Sequence, residues 1–553
     1  MSELRLVPAA LVVWAVTLLL LLTGSLPAAA GLVVVAAACL AVLRQPGQAV
    51  LAAVLGAAAL VLTRTRQRGA GEAELGDVVT GTVAAQPTGI APERHLVRLH
   101  VPGHPAELPV FTGELPAGVV AGARVTAEVA LSPSDRPGLG AHVASGELRV
   151  EAEPAGMAAF AAHVRQTFGE SVAAVVGPAS QGLVPGMVLG DTSGQSAAEQ
   201  QLYIDTGLSH LSAVSGANVA IVTTAAVVVC RLLTLGPRVQ VAAASGALLV
   251  FVGLVGTEPS VLRASVTGLV GLLAVLNSAR MEPVHGLCLA VIGLILWDPD
   301  LAVSYGFALS VAATAGIVAL HPLLYRPLAR TRLPDILVRA LAVAVAADIV
   351  TMPIIAVMAG EVSLVSVVAN VLVAPAVAPV TVLGLIAAGL CLLPGGLEIP
   401  PLKMLEPCTW WIHTVAQWCA QLPNATVPAD PGWVLVGYGW VLAAVLAGHP
   451  WKVLAGVGVF FLWSLHAGAG TGTGAAEIPL ETLPERAVAV VGTVGEVDTA
   501  PPGTQVIIVL DDTGRASDRP TVTRAGVPVL FPHRDGEVSL HRDGTQHARD
   551  GRF

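Results

Sequence analysis

Apolar runs and polar breaks divide this chain before any single residue does. From Arg5 to Arg44 there is no charged residue. Pro27 splits the run into two segments, each near the length that crosses a bilayer, and a third apolar segment covers Ala49 to Thr63. A signal peptide is the alternative, with Pro27-Ala28-Ala29-Ala30 as its small-residue cleavage site. The apolar run resumes directly after the alanines, which suits a helical hairpin better.

From about residue 69 the period changes to two. Val78–Val83, His95–Val101, Leu108–Phe111, Arg124–Leu131 and His142–Val150 read as strands, separated by PTGIAP, VPGHPA and SPSDRPGLG. Short strands at this density predict a small barrel of the OB type. Beyond residue 158 the chain is membrane-grade. Phe160–Val176 reads as an amphipathic helix of the kind that lies on a membrane surface. Gly186, Gly190 and Gly194 make the next stretch irregular or re-entrant. Spans follow at Thr206–Leu233, Val239–Val255, Pro259–Leu276, His285–Trp297, Val303–Leu320 and Leu341–Ala359, with Asp298-Pro299-Asp300 as an exposed turn. Pro375 and Pro379 interrupt the next segment, so that two half-helices would meet at midplane. Leu402–Leu422, whose Trp410, Trp411 and Trp418 suggest an interfacial belt, precedes spans at Trp433–Leu446 and Val453–Leu465.

The predicted fold class is therefore a polytopic α-helical membrane protein, with about eleven membrane segments and a small inserted all-β, OB-like soluble domain. The divisions are residues 1–68 for the N-terminal helices, 69–157 for the β domain, 158–466 for the transmembrane channel domain and 467–553 for a C-terminal tail. GAGTGTGAA opens that tail as a flexible linker. Val488–Val491 and Val506–Leu510 read as strands within a degenerate remnant or disordered end.

Composition agrees. The chain is 54% hydrophobic and 12% charged, against about 25% charged in soluble domains. A formal charge of −9 gives no global attraction for nucleic acid. Residues 69–157 hold five Arg against eleven acids, with Phe111 as their one aromatic ring. That argues against a DNA-binding barrel, which needs stacking platforms and a basic groove, and favours a structural or docking role. The six cysteines form no CxxC and read as small buried hydrophobes, with a Cys408–Cys419 bridge left open. No zinc site or phosphate loop is legible, so no cofactor is expected.

Polar side chains inside apolar runs are the candidate chemistry. Asp205, Ser209, His210, Ser212, Ser215 and Asn218 lead into or lie in the Thr206–Leu233 run. Ser212, Gly216 and Ala220 recur at i+4 as a small face; His210, Val214 and Asn218 form a second face. They either glue helices or line a path. Arg263 heads an apolar helix beginning Thr257-Glu258-Pro259. It snorkels, pairs with Glu258 or another acid, or meets a phosphate. Asp348 stands alone at mid-span and is a functional candidate unless it pairs with Arg263 or Arg339. Arg326, Arg330, Arg332 and Arg339 mark a cytoplasmic loop, whereas Arg64, Arg66 and Arg68 pull the end of the third span the same way.

GDTSG at 190–194 followed by TGLSHLSAVSGANVAIV at 206–222 resembles the signature of the ComEC family, the membrane channel for DNA uptake in bacterial transformation. Asn218 stands where many members carry His. EPSVLRAS, the Asp298-Pro299 dipeptide, YGFALS and GEVSLVSVVANVLVAP resemble further elements of that family. The resemblance implies an extracytoplasmic β domain at residues 69–157, which outweighs the three arginines at its border. Many members end in a metallo-β-lactamase-like domain. The HxHxDH cluster that such zinc chemistry needs is absent, His533, His541 and His547 being isolated.

The resulting expectation is a multi-pass inner-membrane channel for single-stranded DNA, and not an enzyme. Its path would be lined by Ser209, His210, Ser212, Ser215, Asn218, Arg263 and Asn370, with Asp205, Glu258 and Asp348 as supporting ionisable groups. The resemblance implies membrane lipid, other competence proteins including a DNA receptor and an ATP-driven translocase as partners, and leaves a homodimer open. The alternatives are a proton-coupled small-solute transporter using Asp205, His210 and Asp348, and a non-conducting membrane scaffold.

Overall fold

The structure is a computed structural model. It describes residues 4–73, 75–91, 94–116, 118–212, 214, 216–276 and 282–447, with short stretches of the tail between 488 and 548. Met1–Ala455 and Gly456–Phe553 are separate compact units.

The first unit opens with α1 (Val7–Thr23), α2 (Leu26–Val42) and α3 (Pro46–Glu72). Gly24, at φ +65°, ends α1, and Ser25 caps α2 by accepting from Ala28 N. Pro27 thus sits in a first turn, where its missing N–H costs nothing, and the hairpin forms. A Cβ on Gly56 of α3 would come within 2.9 Å of Val12, so the three helices pack closely.

The β domain comprises β1 (Val78–Val83), β2 (Thr88–Ala91), β3 (Arg94–His100), β4 (Glu107–Thr112), β5 (Arg124–Pro133) and β6 (His142–Ala152). Strands run in the order β1-β5-β6-β4-β3-β2, and a further β1–β3 pairing at Thr82↔His100 closes a ring of five. Pairing is antiparallel except between β4 and β6. Alternate valines and leucines fill the ring, including Val97, Leu99, Val110 and Val125, all with no exposure. Strand β2 lies within PTGIAP, read above as a separator. It is an edge strand with irregular register at Gly89/Ala91, too short for a period-two signal.

The helical part continues with α4 (Met157–Val175), α5 (Pro178–Gln181), α6 (Leu183–Leu189), α7 (Ala197–Asp205), α8 (Gly216–Leu232), α9 (Pro237–Val255) and α10 (Pro259–Leu276). Then come α11 (Pro283–Trp297), α12 (Tyr305–Leu328), α13 (Asp335–Ala359), α14 (Ser366–Leu390), α15 (Ile399–Ala420) and α16 (Pro431–Leu446). Two three-residue strands, β7 (Glu361–Ser363) and β8 (Thr426–Pro428), pair antiparallel. Among the described residues α3, α9, α12, α13 and α14 are long and apolar enough to cross a membrane. Shorter apolar helices are α1, α2, α11, α16 and the Asn218–Leu232 part of α8. Leu249, Trp410, Trp433 and Leu435 turn outward, more than half exposed apart from their neighbours, as lipid-facing side chains do. The expected span at Val453–Leu465 lies outside the described residues.

Four sequence expectations are corrected. Thr206–Leu233 is not one span. Gly207 adopts φ +67°, a three-residue 3-10 turn occupies Ser209–Leu211, and the helix starts only at Gly216. Conversely, α14 runs unbroken through Pro375 and Pro379. Pro375 denies Val371 its helical partner, and Trp411 Nε1 bonds the adjacent Leu372 carbonyl at 2.8 Å, so neighbouring helices support the weakened turn. Helix α4 does not lie free on a surface: Phe168, Val164 and Val172 are buried against α6, α14 and α15. Finally, Asp298-Pro299-Asp300 is no exposed loop. Pro299 is buried in a 3-10 turn (Pro299–Val303), and Asp300 Oδ1 accepts from Leu139 N at 2.7 Å.

That bond seats the β domain. Ala106 and Leu139 of the β domain share one apolar cluster with Ala10 and Val13 of α1, Ile295 of α11 and Phe307 of α12. Trp14 Nε1 donates to Ala302 O at 3.0 Å, and Arg66 donates to the Trp297 carbonyl.

In the second unit β9 (Val488–Val491), β10 (Val506–Val509), β11 (Thr521–Val522) and β12 (Pro528–Leu530) form a sheet ordered β11-β12-β10-β9, with β9, β10 and β12 parallel. Strands β13 (Val538–Leu540) and β14 (Gln546–Ala548) pair beside it. Both expected strands are present, within more regular structure than polarity suggested. His541 and the side chains of His533 and His547 lie outside the described residues.

Asp300 gives a test of the docking. Burial, with Asp298 and Glu107 nearby, pushes its carboxyl up to about 6 against the opposing Leu139 hydrogen bond. The native state therefore holds a proton that the unfolded chain releases between about pH 4 and pH 6. Stability falls as pH rises through that window and stays lower above it. Asp300→Asn keeps a carbonyl acceptor for Leu139 N without the charge. Thermal melts should show it more stable than wild type by ~1–2 kcal/mol near pH 8, and equal to it near pH 4. A pH-independent difference would refute this account of Asp300.

Candidate functional site

The helix ends at one face of the helical part surround a cavity of about 1900 Å³ beneath the β domain. Its walls come from the ends of α3 (Arg66), α6 (Gly190), α9 (Val255), α11 (Trp297) and α13 (Val357, Met358) and the starts of α10 (Pro259) and α12 (Tyr305). Ala84–Thr88, Arg98, His100 and Glu107 of the β domain form the roof. Local sequence explains the opening. Gly190, at φ +74°, terminates α6 in the left-handed conformation glycine tolerates. Gly256, at φ +103°, ends α9, and Pro259 restarts the chain as α10.

The charges around this space are mixed. Arg66, Arg98, Arg136 and Arg165 face Glu107, Asp135, Asp191, Glu258, Asp298 and Asp300. Burial pushes the Glu107 and Asp298 carboxyls above the usual range, as it does Asp300. These carboxyls therefore take up a proton more readily than exposed ones do.

Gly190-Asp191-Thr192-Ser193, Glu258-Pro259 and Tyr305-Gly306 all line the cavity. Three sequence elements spread over residues 190–306 thus converge on one space. Sequence reasoning took Glu258 for a supporting group and missed the other lining residues. The GDTSG loop could have been favoured over the hydroxyls after it, because irregular backbone at depth must border protein or water.

The other residues singled out from sequence lie elsewhere and do three different things. Ser209 and His210 are exposed on the 3-10 turn. Ser215 lies outside the described residues. Ser212 is half-buried, and its carbonyl crosses Gly186 so tightly that a Cβ there would come within 2.9 Å. Asn218 is 2% exposed and donates to Met187 O at 2.7 Å, tying α8 to the last turn of α6. His210, Val214 and Asn218 do not share a face, because no helix joins them. Gly216 of the small face does bring α8 close to Ala264 of α10.

Arg263 neither snorkels nor pairs with Glu258. It is 9% exposed, and Nε donates to Ser310 Oγ of YGFALS at 2.8 Å, binding α10 to α12. Ser260 Oγ donates to Val214 O at 2.9 Å. Asp348 pairs with neither Arg263 nor Arg339; the latter bonds Asp335 instead. It accepts from Ser366 Oγ at 3.2 Å and Tyr438 OH at 3.4 Å. Asn370 Nδ2 reaches Ser366 O at 2.9 Å and Gly207 O at 3.4 Å. Asp348, Ser366, Asn370 and Tyr438 thus join α13, α14, α16 and the turn after α7. Asp205 accepts from Gln201 at 2.7 Å, a bond local to α7. The six cysteines are free, so Cys408 and Cys419 form no bridge.

Residues 187–452 match the family model described as Competence protein. No curated protein and no solved structure matches the chain.

The Asp348 cluster predicts a stability pattern. Asp348→Ala strands two hydroxyls in the helix seam and should cost ~2–4 kcal/mol. Asp348→Asn keeps an acceptor and a partner for Tyr438 OH and should cost less than half as much. Melting of the purified variants checks this. Equal losses would show that the charge, not the hydrogen bonding, holds the seam.

Proposed function

The chain belongs to the competence-protein family, and from that premise we propose that it is a multi-pass inner-membrane channel conducting single-stranded DNA inward. One observation carries the reading: three sequence elements that resemble the family's signatures line one cavity at a ring of helix ends. At about 1900 Å³ it exceeds the space that small-molecule sites need, about 300–1,000 Å³, which favours a polymer over a small solute.

Mixed wall charge suits passage better than storage. A conduit must hold its cargo weakly enough to release it. A wall that carries both arginines and acids offers phosphates brief partners without a continuous basic trap. The β domain, whose ring of five has its parallel pairing between β4 and β6, fits a Greek-key barrel of the OB type. Acidic and nearly without aromatics, it serves as a roof, not a reader.

Orientation follows from charge. Arg44, Arg231, Arg238, Arg326, Arg330 and Arg332 fall in the loops and terminal helix turns away from the cavity. The positive-inside rule makes that end cytoplasmic, so the cavity and β domain face outward. Arg66, which argued the opposite, is engaged by the Trp297 carbonyl. No phosphate-loop motif supplies drive, so an ATP-driven translocase or the membrane potential must. A DNA receptor outside the membrane would deliver the strand, and catalysis is not part of the role. The further spans and the domain limits given above belong to the same reading.

Position-specific crosslinking tests it. With Cys39 changed to Ser, a cysteine replacing Thr192 in the cavity should crosslink a thiol-reactive single strand during uptake. One replacing Val42, on the outer face of α2, should not. Gly306→Trp, filling the cavity mouth, should lower uptake at least tenfold with normal membrane insertion. DNA uptake unaffected by Gly306→Trp, together with no crosslink at position 192, would sink the proposal.

A further inference from the structure

Arg165 is a buried charge in the cavity wall that neither the fold nor the seam network uses up. It lies on α4 and is 8% exposed. Its Nη2 donates to the Leu254 carbonyl, in the last turn of α9, while Nε is buried without a partner. A guanidinium offers five donors. Among the described residues Arg165 makes no ion pair. The opposing charge nearest in effect is Asp191, whose carboxylate is already engaged by Ser193 N at 3.1 Å and Ser193 Oγ at 2.6 Å. Both residues line the cavity.

Burying an arginine without a counter-ion is costly, and the cost is recovered only by an anion or by water. The cavity gives access for either. A planar fork with unused donors fits the oxygens of a phosphodiester better than it fits a monovalent ion. We propose that Arg165 is a phosphodiester contact on the cavity wall, held in place by the Leu254 carbonyl and tempered by Asp191, so that each backbone phosphate of a passing strand is gripped and then released. This rests on the DNA-path reading above and adds to it the residue that touches the polymer.

Asp191 sets the strength of the grip. A carboxylate within electrostatic reach of the guanidinium competes with phosphate, and that competition keeps the contact reversible. Removing it should therefore tighten binding, which a purely structural arginine would not show.

The test uses the full chain in lipid nanodiscs. The probes are a short single-stranded oligonucleotide with phosphodiester linkages and the same sequence with uncharged methylphosphonate linkages. Arg165→Met should weaken phosphodiester binding about tenfold or more, and lower the slope of log K against log salt by about 0.7. Methylphosphonate binding should be unchanged. Arg165→Lys should keep the slope and part of the affinity, and Asp191→Asn should tighten phosphodiester binding several-fold. Wild-type affinity and slope in a folded Arg165→Met chain would overturn the proposal and leave the DNA path standing, as would equal losses for both probes. A wild-type chain that binds neither probe would bring down the path and this contact together. Should Arg165→Met fail to fold, unchanged binding by Asp191→Asn overturns the proposal on its own.

Discussion

A carbonyl oxygen left bare at the end of a helix is the constraint this structure repeatedly answers. In water such a group finds solvent; within hydrocarbon it must find a donor from the protein. Here side chains from other helices supply them. Asn218 bonds Met187 O at the end of α6, Arg165 bonds Leu254 O at the end of α9, and Arg66 bonds Trp297 O at the end of α11. Asn370 reaches Gly207 O after α7, and Ser260 reaches Val214 O before α8. Each bond gives a carbonyl beside a helix terminus a donor from another element, and the ends of α6, α9 and α11 ring the cavity.

This explains what sequence could and could not show. Long apolar stretches read cleanly, because a twenty-residue run has few other uses. So did the strands of the β domain, whose buried and exposed residues alternate. Helix breaks were misread in both directions. Pro375 and Pro379 looked like a stop, yet α14 passes through them because its neighbours support the weakened turn. Thr206–Leu233 looked continuous, yet Gly207 and the 3-10 turn interrupt it. A hydropathy pattern records how greasy a segment is, not whether a distant side chain waits to receive its carbonyl.

The candidate residues show the same limit. Asn218, Arg263 and Asn370 were singled out as path-lining groups and Asp348 as a supporting one; the structure gives each a hydrogen-bond partner. Which partner each takes is a tertiary fact. Arg263 meets Ser310, 47 residues away, and Asp348 meets Tyr438, 90 residues away. Nothing in the local sequence distinguishes those from the ion pairs that charge alone would suggest. The loop at 190–193 was legible as a motif, but its place on a cavity wall depends on where α9, α11 and α12 end.

Glue and conduit were posed as rival readings of these polar residues, yet a bond that closes a helix seam can serve both. A helix capped at depth by a neighbour's side chain ends without needing a loop that reaches the surface. Space is then left beyond its terminus. Asn218, by holding Met187 O, lets α6 stop at Gly190, and the chain that follows is free to line the cavity. Arg165 does the same for α9 while leaving part of its own fork unengaged. The side chains that bind helices together are therefore what hold the proposed path open. A path of the kind proposed would be built from satisfied seams rather than from a column of polar residues along one helix.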